Sequence, residues 1–173
     1  MKEPIGQESV EIGSESQVDD SEPLLRLLWA EHDVQNSNIL PEAISRRDLE
    51  RPDRGFSVDR EQLAQRKTME ALIEHQRPKG NKPEDRQTPF LSRIASANAV
   101  RELKDSNGER PFMVVASPTE GTAELPPNPA HAEIKSVQKC SNRSRLNERR
   151  QLLLSVLGSP VKFVNYWDQH RKV

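Results

Sequence analysis

Residues 111–117 read Pro-Phe-Met-Val-Val-Ala-Ser, an apolar, partly β-branched run held between two stretches of turn chemistry. On one side lies KDSNGERP (104–111), with Asn107-Gly108 at its tip; on the other lies PTEGTAELPP (118–127). A run this short, punctuated on both sides, predicts a buried strand rather than a helix. A second strand is expected at GFSV (55–58), behind the turn RPDRG (51–55).

Around these strands the periodicity predicts helices. Pro23 at a first turn, with Leu24, Leu27 and Leu28 on neighbouring turns beside Trp29, predicts a helix over 23–32. ILPEAISRRDL (39–49) predicts another short helix started by Pro41. Asp59, three residues before Gln62, suggests a capping box for a helix over 60–76 with Leu63, Met69, Leu72 and Ile73 inward. Thr88-Pro89 is expected to start a helix through Leu103, with Phe90, Ile94, Ala97 and Leu103 on one face. Asn128-Pro129 is expected to do the same for AHAEIKSV (130–137). The last helix is predicted over 143–157, with Leu146, Leu153, Val156 and Leu157 inward, Gly158 just past its end and Pro160 beyond. VKFVNYW (161–167) suits a terminal strand. Helices and strands mixed in this order predict a mixed α/β or α+β domain with a small sheet and several short helices. No internal repeat is visible.

The 173 residues make about one domain, but the composition is lean: 33% hydrophobic, 4% aromatic and 31% charged, with 13 prolines. Too little apolar surface is present to order every residue, and about 110 ordered residues are expected. Residues 1–22 carry seven acids against one lysine, a balance of -6, and are expected to form a disordered acidic arm ahead of a single domain over 23–173. RPKGNKPEDRQT (77–88) reads as a solvated linker inside that domain. Residues 135–173 carry nine bases against two acids, a balance of +7. Cys140 is the sole cysteine, which rules out an intramolecular disulfide and a thiolate-rich zinc site within one chain. The N-terminal residues show no apolar signal region, and no run approaches the length of a membrane span, so a cytoplasmic location without membrane contact is expected.

Complete chemical motifs are absent: there is no G-x-S-x-G, no phosphate-binding lysine loop and no G-x-G-x-x-G. His131-Ala132-Glu133 matches the H-x-E half of the zinc deaminase signature, in which the histidine binds zinc and the glutamate carries protons. The P-C-x-x-C half is missing, since Arg143 stands where the second cysteine would fall after Cys140. A capped helix start explains the tripeptide more simply. His32, His75, His131 and His170 stand in no H-x-H or H-x-x-x-H relation, and neither a metal nor another cofactor is expected. At the basic end, Arg143, Arg145, Arg149 and Arg150 cluster within eight residues, and Lys162 stands near Tyr166 and Trp167. Bases interleaved with aromatics can grip phosphates and stack on unpaired bases, or receive an acidic protein.

Trp29, the segment Gly55-Phe56-Ser57-Val58-Asp59-Arg60 and the segment Asn128-Pro129-Ala130-His131 followed by Ile134 resemble small uncharacterised bacterial proteins. The resemblance spans about residues 24–134 and implies no function and no site. The leading expectation is a non-enzymatic accessory or interaction subunit of a multi-protein complex, with a protein partner. Two alternatives stand beside it: a divergent metal-dependent hydrolase or deaminase using His131 and Glu133, and a nucleic-acid-binding module using the basic end. The oligomeric state stays open.

Overall fold

The run Leu24–Trp29 is an extended strand, β1, not the helix its leucine spacing suggested. It is buried on both faces. Leu24 joins one core, and Leu25, Leu27 and Trp29 join another on the opposite side. A strand covered on both faces has no polar face to alternate with, so its leucines mimic a helical stripe. The structure, a computed structural model, describes residues 18–80 and 86–170.

After β1 come the small hairpin β2 (Val34–Gln35) and β3 (Asn38–Ile39), then the short helix α1 (Arg46–Glu50). Strand β4 (Gly55–Arg60) and helix α2 (Arg66–Gln76) follow. Strand β5 (Pro89–Ile94), helix α3 (Ala97–Arg101), strand β6 (Phe112–Ala116) and strand β7 (His131–Ser136) come next. Helix α4 (Arg143–Val156), the two-residue strand β8 (Val161–Lys162) and helix α5 (Phe163–His170) complete the described chain. Six strands form one antiparallel sheet in the order β6-β7-β4-β1-β5-β8. The result is the expected α+β class, with helices on both faces. One face carries Leu49 of α1, Val100 of α3 and Leu146 and Leu153 of α4. The other carries Met69 and Ile73 of α2 and Phe163, Tyr166 and Trp167 of α5.

Four further expectations are corrected by hydrogen bonding and register. Residues 131–136 alternate cleanly, with Ala132, Ile134 and Ser136 inward, and pair with both β4 and β6. Asn128 does not cap a helix there: its Oδ1 accepts from Ala130 N at 3.1 Å in a local turn. Residues 89–94 are strand, and the helix behind them is confined to α3, whose true cap is Ser96, accepting from Ala99 N at 3.2 Å. Asp59 lies within β4, so α2 starts later than expected, at Arg66, and Leu63 is left 41% exposed. At the C-terminal end only Val161 and Lys162 are strand, and Phe163 onward is helix.

The acidic arm divides. Residues 1–17 lie outside the described residues, but Val18 is buried and Glu22 is only 4% exposed. Arg60 donates to both Glu22 oxygens at 2.7 Å, and Arg101 donates to Asp20 at 2.6 Å. A charge count registers those acids but not their arginine partners. In the 77–88 segment, residues 81–85 lie outside the described residues, while Arg77 Nη1 donates to Gln87 O at 2.6 Å and Arg86 Nη1 to Gln76 O at 2.8 Å.

Gly158 follows α4 as expected, but close approach explains its identity better than a left-handed cap. Its N–H donates to Arg93 O at 2.9 Å, and its carbonyl accepts from Ser92 Oγ at 2.7 Å. A Cβ at this position would stand 2.7 Å from Arg93 O, a backbone atom that cannot swing away. Gly158→Ala is therefore expected to cost about 1–3 kcal/mol through forced backbone shifts, read as a lower urea midpoint. An unchanged midpoint would show that the α4–β8 link adapts freely.

Candidate functional site

The sheet does not zip completely. Strand β1 pairs with β5 over six residue pairs but with β4 over two, Leu24 with Arg60 and Leu25 with Asp59. Beyond that point β1 and β4 diverge, and side chains take over backbone groups that a longer ladder could have used. Arg26 Nη1 donates to Ser57 O at 2.7 Å, and Trp29 N–H donates to the buried Asp33 carboxylate at 2.8 Å. A cleft of about 700 Å³ opens at this fork. Asp48 of α1 borders it, as do Leu72 and His75 of α2 and the loop from Thr119 to Pro126. A space of this size suits a small molecule.

Arg26 is the central feature. Its guanidinium lies 4.1 Å from the centre of the Phe56 ring, which holds the side chain flat. Beyond the bond to Ser57 it makes no hydrogen bond to the described residues, and its Nε is buried without a partner. Burial lowers the Arg26 pKa, while the charges of Asp33, Asp48 and Asp59 oppose that shift. Burial pushes the Asp48 carboxyl above its ordinary range, partly offset by Arg26, Arg54 and Arg47. The Asp59 carboxyl is also raised by burial, offset by the Asn128 side chain, which donates to it at 2.8 Å, and by His131 and Arg26.

Two imidazoles at the cleft have one ring nitrogen committed. His131 Nδ1 lies 2.8 Å from both the carbonyl oxygen and the hydroxyl of Ser117. His32 Nδ1 lies 2.5 Å from Asp33 Oδ1, just after Glu31, whose φ of 67° turns the chain beyond β1. His75 is engaged by Lys79 at 2.6 Å and Glu124 at 3.3 Å.

Of the candidate site residues read from the sequence, His131 and Glu133 and the basic end with its aromatics, only His131 borders this cleft. Glu133 sits two residues along β7, 3.5 Å from Lys135 Nζ. No group of three or more His, Cys, Asp or Glu side chains suited to a metal ion occurs among the described residues. Buried Cys140 fills space in the core. At the basic end the expected surface is dispersed. Arg143 and Arg145 are exposed on the first turn of α4, and Lys162 is exposed on β8. Arg149 instead donates to Gln138 O at 3.1 Å and Leu49 O at 3.3 Å, and Arg150 to Ile44 O at 2.9 Å. These two arginines tie α4 to the chain around α1. Tyr166 and Trp167 are 3% and 5% exposed, packed edge-on at 5.5 Å, and Tyr166 donates to Glu61. Rings enclosed in the core leave no open face for a base to stack on.

Nothing in the sequence marked Arg26 or Asp48 as site residues, and Asp59 and Asn128 read as helix caps. The available signals were an arginine inside the apolar run LLRLLW and an aspartate within the strand GFSVDR. Fold and cleft together define an α+β protein with a polar cleft at a forked antiparallel sheet. No family model, curated protein or solved structure matches the chain. Among the described residues no helix is long and apolar enough to cross a membrane.

Proposed function

We propose that this chain is a small-molecule-binding protein whose ligand occupies the cleft at the β1–β4 fork. The observation that supports this reading most is Arg26, a half-buried guanidinium in the middle of the sheet whose donors, apart from the bond to Ser57, find no acceptor among the described residues. Leaving buried donors unpaired costs about 1–3 kcal/mol, and a ligand acceptor would recover part of that cost. The accessory-subunit reading rests on composition and charge asymmetry; it stays compatible with a ligand site but accounts for none of this geometry. The hydrolase reading through His131 and Glu133 draws no support from the placement of Glu133 beside Lys135.

A thermal-shift panel of small polar molecules tests the proposal. Anything that binds the native state alone raises the melting temperature with concentration. At least one compound is expected to raise it for the native protein and not for Arg26→Met, which keeps the length of the side chain without its donors. If no compound does so, or if every shift survives in the variant, the cleft is not the ligand site.

A further inference from the structure

The charges around Arg26 limit what the cleft can accept. Five acids border it, Asp33, Glu42, Asp48, Asp59 and Glu120, against the bases Arg26, Lys79 and Arg86. Three of the acids, Asp33, Asp48 and Asp59, lie close enough to act on Arg26 electrostatically. A phosphate or carboxylate placed on Arg26 would meet the field of all three in a partly desolvated site, where like charges repel strongly. A free cation would meet the guanidinium itself. The site therefore favours a ligand group without net charge.

The unpaired groups add a direction. Arg26 Nη2 has no partner among the described residues, so one side of the fork offers a donor. The half-buried Asp48 carboxylate, which borders the same cleft, accepts no hydrogen bond from the described residues. The two are near enough to interact by charge, yet they do not close into an ion pair. A bridging group must accept on one side and donate on the other.

We propose that the ligand presents an amide-type edge, with a carbonyl oxygen accepting from Arg26 and a neighbouring N–H donating to Asp48. The class is a small uncharged carboxamide or lactam, such as a nucleobase or a pyridine carboxamide. Hydrogen bonds to charged partners are the strong ones, so both ends contribute substantially to affinity. A site built around such a pair also discriminates sharply against analogues lacking either half. This inference rests on the reading of the cleft as the ligand site.

Titration calorimetry on the full chain separates the two claims. The probes are nicotinamide and uracil as amides, benzoate and inorganic phosphate as anions, and benzamidine as a cation. At least one amide is expected to bind, with affinity falling tenfold or more in Arg26→Met and in Asp48→Asn. Circular dichroism melting confirms that both variants fold, and the near-isosteric Asp48→Asn keeps the test valid if Arg26→Met does not. Binding of benzoate, phosphate or benzamidine in place of the amides, lost in the same variants, would overturn the amide assignment while leaving the cleft reading intact. Amide binding unaffected by Asp48→Asn would also overturn it. If none of the five probes binds, the amide assignment fails, and the thermal-shift panel decides the cleft reading separately.

Discussion

Phe56→Ala is expected to cost the fold about 3–5 kcal/mol, the largest loss of any single change considered. The ring is fully buried in the core between the sheet and α1, α3 and α4, and its strand neighbour across the β4–β7 ladder is Ile134. Truncation removes its apolar burial and leaves a cavity that the β7 ladder and the helices packed over it cannot fully collapse to fill. It also removes the surface on which Arg26 rests at 4.1 Å, so the fork loses the platform beneath its guanidinium. Native domains are stable by about 5–15 kcal/mol, so the variant would stand near the edge of folding at room temperature. Urea unfolding monitored by circular dichroism measures the loss. A change below about 1.5 kcal/mol would contradict this packing, because that is less than a well-enclosed phenylalanine contributes.

The second large effect lies where the N-terminal segment docks. Glu22 receives a two-bonded arginine fork from Arg60, with both distances 2.7 Å, and also accepts from Asp19 N at 3.1 Å. Removing one partner from an enclosed pair strands the other, so Glu22→Ala is expected to cost about 3 kcal/mol. The same pair sets a pH dependence. The hydrogen bonds from Arg60 hold the Glu22 carboxyl below its ordinary value of 4.5, against the opposing effect of burial. A lowered folded-state pKa gives stability that is fully present above the unfolded value and is lost as pH falls through the folded one. The stability difference between the native protein and Glu22→Gln should therefore be constant above about pH 6 and shrink below about pH 4.5. A difference that grew on acidification would show that Glu22 is not held ionised by Arg60.

These two sites show which parts of the molecule the sequence displays. Strand β6, the start of β4 and α4 were legible because each has its own punctuation: Asn107-Gly108 before β6, RPDRG before β4, and Gly158 and Pro160 after α4. The helix expected over 39–49 from Pro41 is shorter, since Pro41 opens only a single turn and α1 begins at Arg46 behind Ser45, whose side chain accepts from Arg47 N. Strands β1, β5 and β7 were read as helices for a common reason. Each follows a proline or a Pro-containing pair that suits a helix start, and β1 and β5 are covered on both faces, which erases the alternation that marks a strand. In β7 the alternation is complete, with His131, Glu133 and Lys135 on one face and Ala132, Ile134 and Ser136 on the other, but the Asn128-Pro129 pair outweighed it.

The site was still less visible. Arg26, Asp48 and Asp59 lie on three separate elements, and only the fork between β1 and β4 brings them together. No local motif encodes where a ladder stops pairing. The arginines of α4 illustrate the converse. Their spacing suggested a shared outward face, yet Arg149 and Arg150 turn to backbone carbonyls around α1 because those acceptors lie within reach of the helix.

The account turns on whether Arg26 meets a ligand. Its Nε–H is closed off from solvent and has no partner among the described residues, so it should give a distinct side-chain signal in a nitrogen–proton correlation spectrum, assignable by its loss in Arg26→Met. Titrating nicotinamide or uracil is expected to move that signal together with backbone signals of Ser57 and Asp48, following one saturating curve. An Arg26 signal that stays fixed while the probe saturates elsewhere, or that never moves with any compound active in the thermal-shift panel, would contradict it.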